Sequence, residues 1–205
     1  MTADTQRLPF VLAASREETR GRESPLREAD REAVLACQGG QREAFDRLVE
    51  RYQRDVYRLC YRYVNNHDDA NDIAQEVFLR AYRAIGRFRG DSSFSTWLYR
   101  IAVNACLNFR AARRPRFQEL PDDLLVDASA GAGERMLEQE RSRRVREAVS
   151  RLPQKQRATV ILKVYHDLTH EEVAEVLGAS VGTVKANLFH ALGNLRKLLN
   201  TEVAP

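Results

Sequence analysis

An apolar stripe at helical spacing is the clearest pattern in the chain. Phe45, Leu48, Val49, Tyr52, Val56, Leu59, Cys60 and Tyr63 recur at steps of three, four and one, which places them on one face of a long helix. Gly39 and Gly40 separate it from a shorter helix holding Ala33, Val34 and Cys37. A second stripe follows VNNHDD: Ala70, Ile73, Ala74, Val77, Phe78, Ala81, Tyr82 and Ile85, with Asp68 or Asp69 placed to cap the helix start. GRFRGDSS then reads as a loop. FSTWLYRIAVNACLNFRAARR, residues 94–114, reads as a helix whose packing face is Phe94, Trp97, Leu98 and Ile101. No period-two alternation competes, so the fold is expected to be all-α.

From Pro115 to Gly133 the periodicity lapses in PRFQELPDDLLVDASAGAG, whose prolines, glycines and acidic bias read as a flexible acidic linker. Helical spacing resumes with Leu137, Val145, Ala148, Val149 and Leu152. Pro153 is expected to end that helix. Another carries Val160, Ile161, Val164 and Tyr165. Thr169 with Glu172 three residues later spells a capping box, Gly178 a left-handed stop, and Ser180 a second start. Two short helices on such a turn make a helix-turn-helix. The expected organisation is a mobile tail at 1–28, a helical domain at 29–114, a linker at 115–133, a helix-turn-helix domain at 134–200 and a tail at 201–205.

Composition narrows the function classes. The chain of 205 residues is 43% apolar and 30% charged, enough to bury small cores, and its arginines cluster although the net charge is only +4. Cys37, Cys60 and Cys106 are widely spaced in apolar-periodic runs and read as free buried thiols in a reducing compartment. The early run LPFVLAA is short and contains Pro9, so neither a membrane insertion nor a leader is expected, and the protein is expected in the cytoplasm. His166 and His170 flank a helix boundary and are not expected to share a metal. Asp68, Asp69 and Asp72 read as ordinary partners of a helix N-terminus. No nucleophile with an adjacent base is evident, and neither an enzyme site nor a cofactor is expected.

Two surfaces remain with chemistry to explain. A recognition helix enters the major groove with its N-terminal residues foremost. Here it offers Ser180, Gly182, Thr183, Lys185, Ala186, Asn187 and His190, in which Lys185 can reach a phosphate or guanine and Asn187 an adenine. The second surface mixes aromatics and arginines beside a polar loop, a combination suited to unstacked bases. It comprises Arg87, Phe88, Arg89, Asp91 and Ser92, then Tyr99, Arg100, Asn104, Asn108, Arg110, Arg113 and Arg114, with Trp97 assigned to the core.

The segment DANDIAQEVFLRAYRAIGRFRGDSSFSTWLYRIAVNACLNFRAARR resembles region two of bacterial sigma factors of the extracytoplasmic-function class. LPQKQRATVILKVYHDLTHEEVAEVLGASVGTVKANLFHALGNLRKLL resembles their region four. The resemblance implies an alternative sigma factor that binds core RNA polymerase, captures the melted minus-ten strand with its first domain and reads duplex minus-thirty-five DNA with its second. It implies that Asp72, Gln75, Glu76, Leu79 and Arg83 dock on the polymerase and that the loop FRGDSS holds a flipped base near Asn104. It also implies an anti-sigma partner, and a linker whose Glu119, Asp122, Asp123 and Asp127 enter the polymerase channel. Two departures stand out. Asn71 occupies a position where an acidic residue is usual, and GTVKANLFH carries fewer arginines than the family's recognition helices. SVGTVKANL alone also fits a response-regulator type of helix-turn-helix protein, and a helical-bundle metalloenzyme is the third reading. The first predicts a strand-containing N-terminal domain, the second paired Glu and His ligands on facing helices.

Overall fold

The computed structural model describes residues 25–112 and 132–201. Among these the regular elements are all helical. Helices α1 (Pro25–Gln38), α2 (Ala44–Val64), α3 (His67–Ala84) and α4 (Phe94–Ala112) form the first half, α1 beginning a few residues before the expected domain start. Leu48, Val56, Leu59 and Cys60 of α2 meet Val77 and Ala81 of α3 and Leu98, Ala102 and Cys106 of α4, all fully buried. The alanines let α3 and α4 approach closely, while the leucines fill the space between them. Asp30 of α1 is buried and accepts hydrogen bonds from Arg51 and Tyr52 of α2, so a compensated acid pins α1 in place.

The join between α2 and α3 differs from expectation. Asn65 takes the left-handed conformation that stops α2, and the Asn66 side chain accepts from Asp69 N at 2.9 Å to start α3. Asn66 is therefore the cap, and Asp68 and Asp69 lie within the first turn, where carboxylates oppose the helix dipole.

The second half comprises α5 (Ala132–Ser150), α6 (Gln154–Val160), α7 (His170–Leu177) and α8 (Val181–Thr201). A wider π-type turn, Ile161–Tyr165, extends α6. Helix α5 stops at Ser150, short of Pro153, with Ser150 Oγ donating to Glu147 O. Pro153 instead starts α6, where a missing N–H costs nothing. The capping box forms as the sequence predicts: Thr169 Oγ1 accepts from Glu172 N at 3.1 Å, and Thr169 N donates to Glu172 Oε2 at 2.9 Å. Gly178 adopts φ 60°, which its missing Cβ permits, and turns the chain into α8.

The two halves are not merely tethered. Helix α7 packs on α4, and α2 meets both α5 and the π-type turn. Arg157, only 2% exposed, sends its guanidinium across the seam. Its Nη2 donates to Arg62 O at 2.8 Å and Tyr63 O at 2.6 Å, carbonyls in the last turn of α2 that no longer have intrahelical donors. Arg62 in turn lies over the Tyr165 ring at 3.5 Å. Replacing Arg157 with Ala should cost about 1–3 kcal/mol, the usual penalty for orphaned buried groups. Denaturant unfolding would measure it, and hydrogen exchange should show the loss concentrated at the end of α2 and in α6.

Candidate nucleic-acid and polymerase interface

Three surfaces carry the residues singled out from the sequence. The first is α4 with the loop before it. Gln38 at the end of α1 donates to Ile85 O at 3.0 Å and Phe88 O at 2.8 Å, holding the loop's start against the bundle. Gly90 turns the loop at φ 75°, and Ser93 Oγ caps α4 by accepting from Thr96 N at 3.1 Å. Between these anchors Arg87, Arg89 and Asp91 are exposed and Ser92 is half-buried. Phe88 is half-buried too, with its ring 5.0 Å from Trp97 and 6.2 Å from Phe94. It therefore closes an aromatic cluster and presents only part of its surface, while Trp97 sits at the edge of the core.

Along α4 the exposed polar positions are Arg100, Asn104, Asn108 and Arg110. Arg113 and Arg114 lie outside the described residues, as do the linker carboxylates. Tyr99 departs from expectation: it is 7% exposed and packs on His166 with ring centroids 5.2 Å apart. Burial pushes its phenol pKa well up, and the Asp55 and Glu172 carboxylates add to the shift. Arg100 Nη2 donates to Glu175 O at 2.8 Å on α7. The reason is that α4 is covered on two sides. Its buried set is Phe94, Thr96, Leu98, Tyr99, Ala102, Val103, Ala105 and Cys106, wider than one stripe, and Ile101 is only half-buried.

The second surface is the start of α8. Ser180 Oγ accepts from Thr183 N at 3.1 Å and lies 2.8 Å from Thr183 Oγ1, so both hydroxyls already serve the helix start. Gly182, Lys185, Ala186 and His190 are exposed and Asn187 is half-buried, on a helix held from behind by fully buried Val184 and Ala191. Phe189 (76% exposed) and Leu192 (45%) continue the open face as an apolar patch.

The third surface is α3. Asp72, Gln75, Leu79 and Arg83 are exposed, and Glu76, half-buried, pairs with Arg80 at 2.7 Å. Gln75 and Leu79 border a groove of about 560 Å³ shared with α2 and lined also by Arg42, Glu43, Phe45, Asp46, Val49, Phe78 and Tyr82. The sequence placed Tyr82 in the apolar stripe, whereas it is 41% exposed with its ring 5.2 Å from Phe45. Charged residues of the α1–α2 turn carry no periodic signal. Their part in the groove became visible only in three dimensions.

The two halves of the chain have counterparts among known proteins. Residues 48–116 match Sigma-70 region 2, and residues 142–195 match Sigma-70, region 4. The chain is 37% identical over 183 residues to the RNA polymerase sigma-H factor of Pseudomonas aeruginosa, covering 84% of this chain and 94% of that one. The chain belongs to the sigma-70 family. The ECF RNA polymerase sigma-E factor of Escherichia coli K12 is 36% identical over 186 residues, covering 86% of this chain and 95% of that protein. Among solved structures, CnrH in complex with the cytosolic domain of CnrY superposes with a TM-score of 0.66 at 25% identity, over 84% of this chain and 98% of that one. RpoE of Bartonella quintana, in complex with the anti-sigma factor NepR, shares the fold with a TM-score of 0.61 at 18% identity, over 76% and 96% of the two chains.

As an alternative sigma factor, the protein binds core RNA polymerase and directs promoter-specific initiation. Among the described residues no helix is long and apolar enough to cross a membrane. Removing the α4 cap in Ser93→Ala should cost about 1 kcal/mol, the usual value of an N-cap hydroxyl. Thermal unfolding would register the loss, and hydrogen exchange should rise in the loop before α4.

Proposed function

We propose that the sigma factor divides its work among the three surfaces. The first domain, residues 29–114, takes the melted minus-ten strand on the loop at 87–92 and the exposed row Asn104, Asn108 and Arg110. The second, residues 134–200, sets the start of α8 in the major groove of the minus-thirty-five duplex. The groove between α2 and α3 docks on the polymerase through Leu79, Gln75 and Tyr82, with Arg42, Glu43 and Asp46 at its rim. One observation carries this reading: an anchored polar loop runs directly into an exposed Asn and Arg row on a helix rigidly packed behind. A flipped base costs a few kcal/mol of unstacking, which a preorganised pocket can offset without nucleotide hydrolysis. The sigma factor thus performs no catalytic chemistry of its own and works in the cytoplasm, where polymerase and promoter meet.

An anti-sigma factor is a further expected partner. Its support is the likeness to CnrH, solved in complex with the cytosolic domain of CnrY. The exposed Phe189 and Leu192 offer apolar surface for such a partner.

The deciding experiment adds the purified chain to core polymerase with promoter-bearing DNA. Specific initiation is expected; tight duplex binding without polymerase and no initiation would sink the proposal. Two substitutions resolve the surfaces. Leu79→Asp should weaken association with core polymerase at least about tenfold, roughly 1.4 kcal/mol, with the fold unchanged by circular dichroism. Lys185→Ala should cost about 1–3 kcal/mol on one promoter position if it reads a base, and should lower the salt slope by about one if it meets only phosphate.

A further inference from the structure

The seam between the two halves contains a half-buried histidine. His166 follows the π-type turn and packs at a tilt against Tyr99 of α4, and its Nε2 is shut off from solvent with no hydrogen-bond partner. The charges around it are unbalanced. Arg58 and Arg62 face it from α2, with Arg62 held over the adjacent Tyr165 and Arg146 of α5 close behind. Asp167, next in the chain, is exposed, and the carboxylates of α2 and α7 serve other groups: Asp55 lies beside Tyr99 and 3.9 Å from Arg58, Glu172 beside Tyr99 and bridged to Arg27 at 2.9 Å, and Glu175 lies 3.7 Å from Arg100. A neutral imidazole fits this site. An imidazolium would have its charge buried beside two arginines, with no acceptor for Nε2–H.

We propose that His166 is a pH-sensitive latch: protonating its imidazole releases the C-terminal half from α4, bares Tyr99 and frees Arg100 from Glu175. The consequence for promoter capture rests on the reading of α4 given above. The closed form cannot engage both promoter elements. Sites about 25 base pairs apart lie roughly 85 Å apart on B-form DNA at about 3.4 Å per step, whereas helices in contact, as α4 and α7 are, have axes about 10 Å apart. Opening is therefore required for function, and acidification becomes one input that favours it.

The sign follows from the two states. In the closed form burial, then Arg62 and Arg58, lower the His166 pKa to about 4. Released into water, the ring returns to its ordinary 6.5. The closed form keeps its full advantage above about pH 6.5 and loses it as the pH falls from there toward about 4. Between about pH 7.5 and about pH 5 the closed-to-open ratio should shift roughly thirtyfold toward open.

The test uses the full chain with dyes on Arg80→Cys and Arg196→Cys, Cys37→Ser removing the partly exposed native thiol. Energy transfer should fall between about pH 7.5 and about pH 5 while helicity stays constant. In His166→Phe and His166→Asn, which retain every carboxylate of the seam but cannot protonate, transfer should stay flat. Three results would overturn the latch: opening of these variants in step with the parent, opening of both already at about pH 7.5, or no opening of the parent. A loss of helicity accompanying the change would mean unfolding and equally reject it. Binding of a single-stranded minus-ten oligonucleotide, measured in parallel, keeps the two ideas separable. Opening without strand binding would reject the reading of α4 and leave the latch standing.

Discussion

A guanidinium cannot enter an apolar interior unless acceptors meet it, and Arg157 fixes the relation of the two halves for that reason. Its acceptors are Arg62 O and Tyr63 O, supplied by the end of α2, where carbonyls are otherwise unsatisfied and the helix dipole is negative. The need is mutual: Arg62, the basic residue in the last turn of α2, lies over the Tyr165 ring, and within its own half Arg157 reaches Ser150 O only at a long 3.4 Å. From this pairing follow the position of Tyr165 under Arg62, the packing of His166 against Tyr99 and the approach of α7 to α4.

That approach decides what α4 can show. Its side toward α2 and α3 must be apolar to hold the bundle, and its side toward α7 buries Tyr99 and engages Arg100. What remains open is the row Asn104, Asn108 and Arg110, continuous with the loop at 87–92. The same element is thus structural support, contact between halves and nucleic-acid candidate at once. Its exposed polar row costs the core nothing, because the buried residues on its other sides already anchor it.

Much of this could be read from the chain. The stripes of α2 and α3, the Gly39–Gly40 break, the capping box at Thr169 and the left-handed Gly178 are local codes, set by contacts within a few residues. Polar residues on otherwise apolar helices marked the two nucleic-acid candidates, and the family resemblance marked the candidate on α3. Other features depend on partners far away in sequence. Asp30 is buried because Arg51 and Tyr52 reach it, and Arg157 because α2 ends beside it; neither leaves a periodic trace. Tyr99 was read as exposed because its cover, His166, lies beyond the linker. Asn66 displaced Asp68 and Asp69 as the cap because Asn65 had already turned the chain, a choice among neighbours that spacing alone does not rank.

The chemistry of the seam bears on how firmly it can hold. Its polar crossing contacts are Arg157 to carbonyls, Arg62 on an aromatic ring, Arg100 to the end of α7 and Arg27 to Glu172, set beside a buried apolar cluster that runs through both halves. Interfaces between domains of one chain are commonly polar and of modest size, and relative motion is their ordinary behaviour. Exposed ion pairs such as those of Arg100 and Arg27 contribute only about 0–1 kcal/mol and weaken with salt. An apolar seam as extensive as the α2–α3–α4 core would lock the halves together and prevent the span that a two-element promoter demands. A seam that joins a smaller apolar contact to charge–carbonyl bonds can instead be specific in geometry and still yield when polymerase and DNA offer α4 and α8 stronger partners.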